Sequence, residues 1–382
     1  MTSRFRNTLG FTALVCSMLI GTPWNAQAQI FPLSQQPMSD AARKMAQDVL
    51  RKRIDSIYNQ LTPDQRAAQL IMVASSTFEK IGTPYSTAKK LVATGIADGV
   101  VFLKGATTEF RKQTQELTQL RTAQQLAPLF ACDCEPSLFQ MKWMDAPAVL
   151  KTNTLTTPQK VQSAADVINM TMQATGVNLN FAPVADIGSN KAVINNRAFS
   201  GTADSVAARA IDFVRATQAG GIGATVKHFP GHGNVVGDSH KQQVFIEGTL
   251  TELETFRKII SQSNPAAVMI GHIVVRNNPT YATNGLPASL SPVIIQKLLR
   301  GELGYDGLIT TDALGMEGVR RVPDADFKAL QAGADLALMP VNPVALHQRI
   351  VKELQAGGPL SEQLAQSVKR VIRYKLQYPA GT

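Results

Sequence analysis

Cysteine is scarce in this chain: there are three in 382 residues, at positions 16, 132 and 134. Cys132 and Cys134 lie too close together to staple distant elements, so the fold is expected to stand without help from disulfides, and the pair reads as two small buried residues. A Cys-x-Cys metal site would need further thiol or imidazole ligands at suitable spacing, and no second cysteine pair supplies them. A concentrated basic stripe is also lacking. The formal net charge of +10 falls to about +8 once Arg4 and Arg6 are discounted, and the remaining lysines and arginines are scattered. With no nucleic-acid-binding module either, that excludes a nucleic-acid reader. Gly/Pro-rich linkers that would divide the chain into domains are missing. The apolar run from Leu9 to Ile20 falls short of the roughly 20 residues a bilayer span needs.

That run is informative for its setting. Arg4 and Arg6 precede it and Ala26-Gln27-Ala28 follows it, the arrangement of a secretory signal peptide over residues 1–28 with cleavage after Ala28. Cys16 follows Val15 rather than a small residue, which argues against a lipid-modified cysteine; an uncleaved N-terminal anchor is the competing reading. The expected location is periplasmic or secreted, with no stable membrane insertion after the signal is removed.

About 350 residues then remain, enough for one large barrel or two ordinary domains. Short apolar runs alternate with helix-period stretches, the pattern of βα units around a parallel sheet. Candidate strands are Gln69 to Ala74, Gly99 to Lys104, Ala127 to Asp133, Val177 to Asp186, Ala224 to His228, Ala266 to His272, Gly307 to Asp312 and Asp335 to Met339. Eight such strands close a (β/α)8 TIM barrel. Between them the spacing predicts helices over Pro158 to Ala174, Ala203 to Ala219 and Pro292 to Arg300, with Thr157 and Ser291 as caps before a proline and Gly176, Gly220 and Gly304 as stops. The expected fold class is therefore α/β: a single-domain barrel over residues 61–382, preceded by a helical extension over 29–60.

Barrel enzymes build their sites at the C-terminal ends of the strands, and here those ends carry Lys104, Asp133 with Glu135, Asp186, Lys227 with His228, His272 and Asp312. Any one of these could be a merely wet strand end, but their recurrence marks a site. The most informative segment runs Lys227-His228-Phe229-Pro230-Gly231-His232-Gly233-Asn234-Val235-Val236-Gly237-Asp238-Ser239-His240. Pro230 and its glycines forbid a helix, so the four-residue gap from His228 to His232 does not set two imidazoles on one helical face as a zinc motif would. The segment is expected to be a mobile loop and no metal is expected. Asp-Ser-His, by contrast, lets the Asp238 carboxylate accept a bond from one ring nitrogen of His240, fixing the tautomer and raising the basicity of the other nitrogen. That makes His240 an acid/base catalyst on a loop able to swing over a substrate.

The string Lys-His-Phe-Pro-Gly-His-Gly followed by Asp-Ser-His resembles glycoside hydrolase family 3, in particular its bacterial β-N-acetylhexosaminidase branch. The resemblance runs from about Leu61 to Tyr378 and includes Asn180 to Asp186, Asn196 to Ser200 and Gly307 to Met316. It implies a carbohydrate substrate, no cofactor, Asp312 as nucleophile, His240 as acid/base and Asp238 as the residue orienting it. Asp133, Arg197, Lys227 and His228 would grip the sugar, Asp186 would shape the site from behind, and His232 and His272 would be structural. A retaining exo-β-N-acetylglucosaminidase acting on envelope glycans such as peptidoglycan fragments is the activity implied. Another family 3 β-glycosidase, a phosphorylase using phosphate in place of water, or a sugar-binding barrel with impaired catalysis are the alternatives.

The chain departs from that branch after the third strand. Where relatives commonly show Glu-Gly-Gly and an arginine, it reads Asp133-Cys134-Glu135-Pro136-Ser137-Leu138-Phe139-Gln140-Met141-Lys142. Lys142 is the candidate for the arginine's place, but a point charge does not reproduce a planar bidentate grip, which bears on substrate affinity more than on reaction type.

Overall fold

All eight apolar runs singled out above form strands, each buried along its whole length. A computed structural model describes residues 39–78, 84–122, 125–188, 190, 193–235 and 237–380. The expected signal peptide and its cleavage point lie outside the described residues, as do the first ten residues of the extension over 29–60.

The strands are β1 (Ile71–Ser75), β2 (Gly99–Phe102), β3 (Leu129–Cys132), β4 (Leu179–Asn180), β5 (Gly223–Phe229), β6 (Val244–Glu247), β7 (Ala267–Ile270), β8 (Ile273–Arg276), β9 (Leu308–Thr311) and β10 (Ala337–Leu338). Eight of them make one parallel sheet in the order β10-β1-β2-β3-β4-β5-β7-β9. A parallel bridge between Thr310 and Leu336 joins β9 to β10, so the sheet closes into the (β/α)8 barrel. Full burial on both faces is what a parallel sheet covered by helices requires. The other two strands, β6 and β8, pair in parallel as a separate ribbon that the alternation of runs and helices did not announce.

The helices Pro158–Thr175 and Ala203–Ala219 fall where expected, and the Thr157 hydroxyl accepts the Lys160 N–H as the cap. Gly176 ends the first in the left-handed conformation at φ 76°, which glycine adopts without a Cβ penalty. Two details differ. Pro292 itself is the cap of a helix over Val293–Glu302 wound as a π-helix, and the Ser291 hydroxyl does not cap it. After Ala219 the left-handed turn falls on Gly221, not Gly220.

The extension supplies a helix over Asp40–Gln60, which buries Ile54 and Ile57, and Asp55 pairs with Lys369 of the C-terminal helix at 2.6 Å. That last helix, Pro359–Gln377, covers the N-terminal end of the barrel. Lys375 reaches Asp98, just before β2, at 2.6 Å and Gln69 at 2.8 Å, and the Tyr374 hydroxyl donates to the Asn178 carbonyl before β4 at 2.7 Å. Polar residues at this end of the strands are thus spent on stability, and those at the other end remain for chemistry.

Cys132 and Cys134 are buried, as expected, but not separate: they form a disulfide. Side chains two apart in an extended chain point to one side, and the 5.5 Å between their Cα atoms lies within disulfide reach. The bond brackets Asp133. Among the described residues no helix is long and apolar enough to cross a membrane.

Candidate active site

Asp133, Lys227, His228, His240 and Asp312 line a single cavity of about 130 Å³ at the C-terminal ends of the strands, together with Arg197 and Lys142. The sequence placed most of them there because each follows a buried strand, where the backbone leaves the ladder and a side chain turns upward.

Lys227 is the pivot of a cluster of charges on one side of the cavity. Its ammonium, buried on β5, lies 2.8 Å from Asp133 Oδ1 and 2.5 Å from Glu135 Oε1. Arg197, in the turn Asn195–Arg197, lays its guanidinium fork on the same Glu135 at 2.8 and 2.7 Å, the planar bidentate pairing that arginine favours. Lys142 donates to the other Asp133 oxygen at 2.7 Å. Burial would raise the Asp133 carboxyl, but Lys142 and Lys227 outweigh it and hold the group well below its ordinary value. Glu135 is likewise held down to about 2, with Arg197 and Lys227 overcoming its burial. Burial opposes the charge on Lys227, yet the two carboxylates raise its pKa. Asp133, Glu135 and Lys227 are therefore ionised. Lys227 has spent two of its three N–H donors on these carboxylates, so one remains for a ligand hydroxyl.

His228 is held from behind. Asp186, buried after β4, accepts the His228 ring nitrogen Nδ1 at 2.7 Å and the backbone N–H of His228 and His232 at 3.1 and 2.8 Å. That is the supporting place the resemblance assigned to Asp186. His232 and His272 are both buried and both bonded: His232 to the Ser239 hydroxyl at 2.9 Å, His272 to the Ser289 hydroxyl at 2.7 Å and the Ala313 carbonyl at 3.0 Å.

Asp312 and His240 both line this cavity. Asp312, directly after β9, accepts the Ala313 N–H at 2.8 Å. Its burial is outweighed by His228, His272, that N–H and His240, so its carboxyl titrates below the usual range. Asp238 Oδ1 takes both the backbone N–H of His240 at 2.9 Å and its ring nitrogen Nδ1 at 2.7 Å. The His240 side chain is 56% exposed and stands at the rim. Burial raises and the bonds to His240 lower the Asp238 carboxyl, with the net shift downward.

The loop makes many polar contacts. Residues 228–233 are buried, and the Asp-Ser-His segment is tied back as well. Besides the His232 contact, the Ser239 carbonyl accepts the Gly318 N–H at 3.1 Å from the segment that follows Asp312. A Cβ on Gly318 would stand 2.9 Å from that carbonyl, so the approach requires glycine. Two of these partners, Asp186 and Gly318, come from other βα units and leave no local mark in the loop.

Glu135 is the residue whose role the sequence reading missed. It stood among the strand-end ionisable residues, and the signal was its place two residues beyond Asp133, but only the fold reveals that Arg197 and Lys227 both depend on it.

Residues 62–374 match the Glycosyl hydrolase family 3 N terminal domain. The chain belongs to glycosyl hydrolase family 3. It is 33% identical over 247 residues to Beta-hexosaminidase A of Pseudoalteromonas piscicida, an alignment covering 57% of this chain and 41% of that protein. It is 33% identical over 257 residues to Beta-hexosaminidase of Stenotrophomonas maltophilia strain K279a, covering 63% of this chain and 75% of the relative. Among solved structures, a family 3 beta-N-acetylglucosaminidase from Paenibacillus sp. superposes with a TM-score of 0.75 at 30% identity, over 84% of this chain and 64% of the other. The chain thus spans less than half of the first relative and under two thirds of the Paenibacillus chain.

Proposed function

We propose that this family 3 protein is a retaining exo-β-N-acetylglucosaminidase in which Asp312 attacks the anomeric carbon while His240 protonates the departing oxygen. The observation that carries the proposal is the convergence of Asp312 and the Asp238-bound His240 on one cavity. An ionised carboxylate facing the cavity is a nucleophile ready to form a glycosyl-enzyme. After departure of the leaving group, the same imidazole deprotonates the incoming water, and two displacements retain the configuration. Most retaining glycosidases perform this with two carboxyl groups; here Asp238 lends its charge to an imidazole instead. Asp133, Lys227 and His228 bind ring hydroxyls, and Arg197 acts beside them through Glu135.

The substrate class rests on the relatives, whose names specify hexosaminidase and N-acetylglucosaminidase activity. Terminal N-acetylglucosamine of envelope glycans, such as peptidoglycan fragments, fits that activity, and the signal-like N-terminus supports action outside the cytoplasm. Incubation with an aryl β-N-acetylglucosaminide should release the aryl alcohol, and Asp312→Ala should abolish release without unfolding the barrel. Absence of turnover on any aryl β-glycoside near neutral pH would overturn the reading. Turnover that demands phosphate would replace water by phosphate as acceptor.

A further inference from the structure

Glu252 lies outside the catalytic cavity, one residue before the helix Leu253–Ser263, and is 3% exposed. Its carboxylate accepts three backbone N–H groups: Ile187 at 2.6 Å, Gly233 at 3.0 Å and Asn234 at 3.3 Å. Ile187 belongs to the loop after β4, and Gly233 and Asn234 to the loop after β5. The carboxylate therefore joins the two loops. A Cβ on Gly233 would collide with the Ile187 carbonyl, so the two backbones approach as closely there as glycine permits. Asp186 takes the His228 and His232 N–H groups on the same stretch. Together the two acids satisfy the amides of a turn that has no helix or ladder to do so.

Stability alone does not account for this arrangement. Burial, with Asp186 nearby, pushes the Glu252 carboxyl up to about 8, so ionising it at neutral pH works against folding rather than for it. Costly buried acids of this kind cluster where a precise backbone course is needed.

We infer that Glu252 is a positioning residue for the acid/base histidine: by clamping residues 233–234 to Ile187 it fixes the point from which the chain runs on to Asp238 and His240. The inference rests on the reading of His240 as the acid/base catalyst. Loss of the clamp displaces the imidazole and leaves Asp312 and the sugar-binding residues in place. Since a displacement of about 1 Å lowers rates by about a hundredfold, the effect falls on proton transfer and not on affinity.

The test compares wild type, His240→Ala, Glu252→Gln and Glu252→Asp on 4-nitrophenyl and 2,4-dinitrophenyl β-N-acetylglucosaminides, with and without azide. In Glu252→Gln an amide NH₂ must face one of the three N–H groups, whereas Glu252→Asp keeps the carboxyl group but withdraws it. Both should lose about a hundredfold in kcat/KM on the poorer leaving group and much less in kcat/KM on the dinitrophenyl substrate, which needs no acid. On the dinitrophenyl substrate kcat is then limited by the base-assisted second displacement, and azide, which needs no base, should restore it. Equal loss of kcat/KM on both substrates, no effect of azide, or no loss in a folded Glu252→Asp would overturn the inference. His240→Ala is the control on the underlying reading: if it shows no leaving-group dependence, the assignment of His240 has failed, and if it does while both Glu252 variants do not, only the clamp has failed.

Discussion

Lys227 on β5 reaches Glu135 beyond β3 with 2.5 Å between Nζ and Oε1, and each side chain is 1% exposed. A buried pair of this kind stabilises little compared with apolar packing, but removing one partner strands the other at a cost of about 3–5 kcal/mol. Glu135 holds Arg197 as well, so Glu135→Gln leaves three cations, Lys142, Lys227 and Arg197, with a single carboxylate, Asp133. It should lower both the unfolding free energy and sugar affinity. The pH dependence has a definite sign. A carboxyl lowered to about 2 by Arg197 and Lys227 against its burial adds stability that is complete above the unfolded value of about 4.3 and is lost as the pH falls towards 2. In urea titrations the gap between wild type and Glu135→Gln should therefore narrow from pH 5 to pH 3.

Asp238→Asn removes the charge that favours the imidazolium of His240 while leaving an oxygen able to accept its Nδ1–H. The expected outcome is a loss of about 10²–10⁴ in kcat with little change in KM. The alkaline limb of the rate profile should move to lower pH, because a protonated imidazole is what donates to the leaving oxygen. An unchanged limb would separate Asp238 from the proton transfer.

Lys142 holds the outer oxygen of Asp133 where relatives of the branch commonly carry an arginine. Lys142→Ala should raise KM by about tenfold, equivalent to about 1.4 kcal/mol, with kcat nearly unchanged. Steady-state kinetics on an aryl glycoside decide it.

At the far end of the barrel, Lys375→Met should act in the opposite way. It leaves Asp98 with Arg121 and Gln69 alone, costing about 1–3 kcal/mol and lowering Tm, while KM measured below the transition stays at the wild-type value.

These contrasts also explain what was legible in the sequence. The eight strands could be read because parallel strands buried on both faces are continuous apolar runs, and the site because ionisable residues close those runs. The Asp238–His240 pair was visible for the same local reason: two residues suffice to form it. Contacts across the sequence were hidden. Nothing near Glu252 reveals that it caps amides 19 and 65 residues away. The disulfide bracketing Asp133 was discounted on loop length, although the strand's two-residue repeat brings both thiols to one side. The ribbon of β6 and β8 went unread, since four-residue strands carry too little pattern to stand apart.

The most direct test of the central claim is covalent trapping. A fluorinated N-acetylglucosaminyl fluoride slows both displacements, while its good leaving group lets the first proceed, so the glycosyl-enzyme accumulates. Peptide mass spectrometry should find one sugar on the peptide containing Asp312, and none in Asp312→Asn. A sugar attached to another residue, or turnover releasing the inverted anomer, would contradict the assignment.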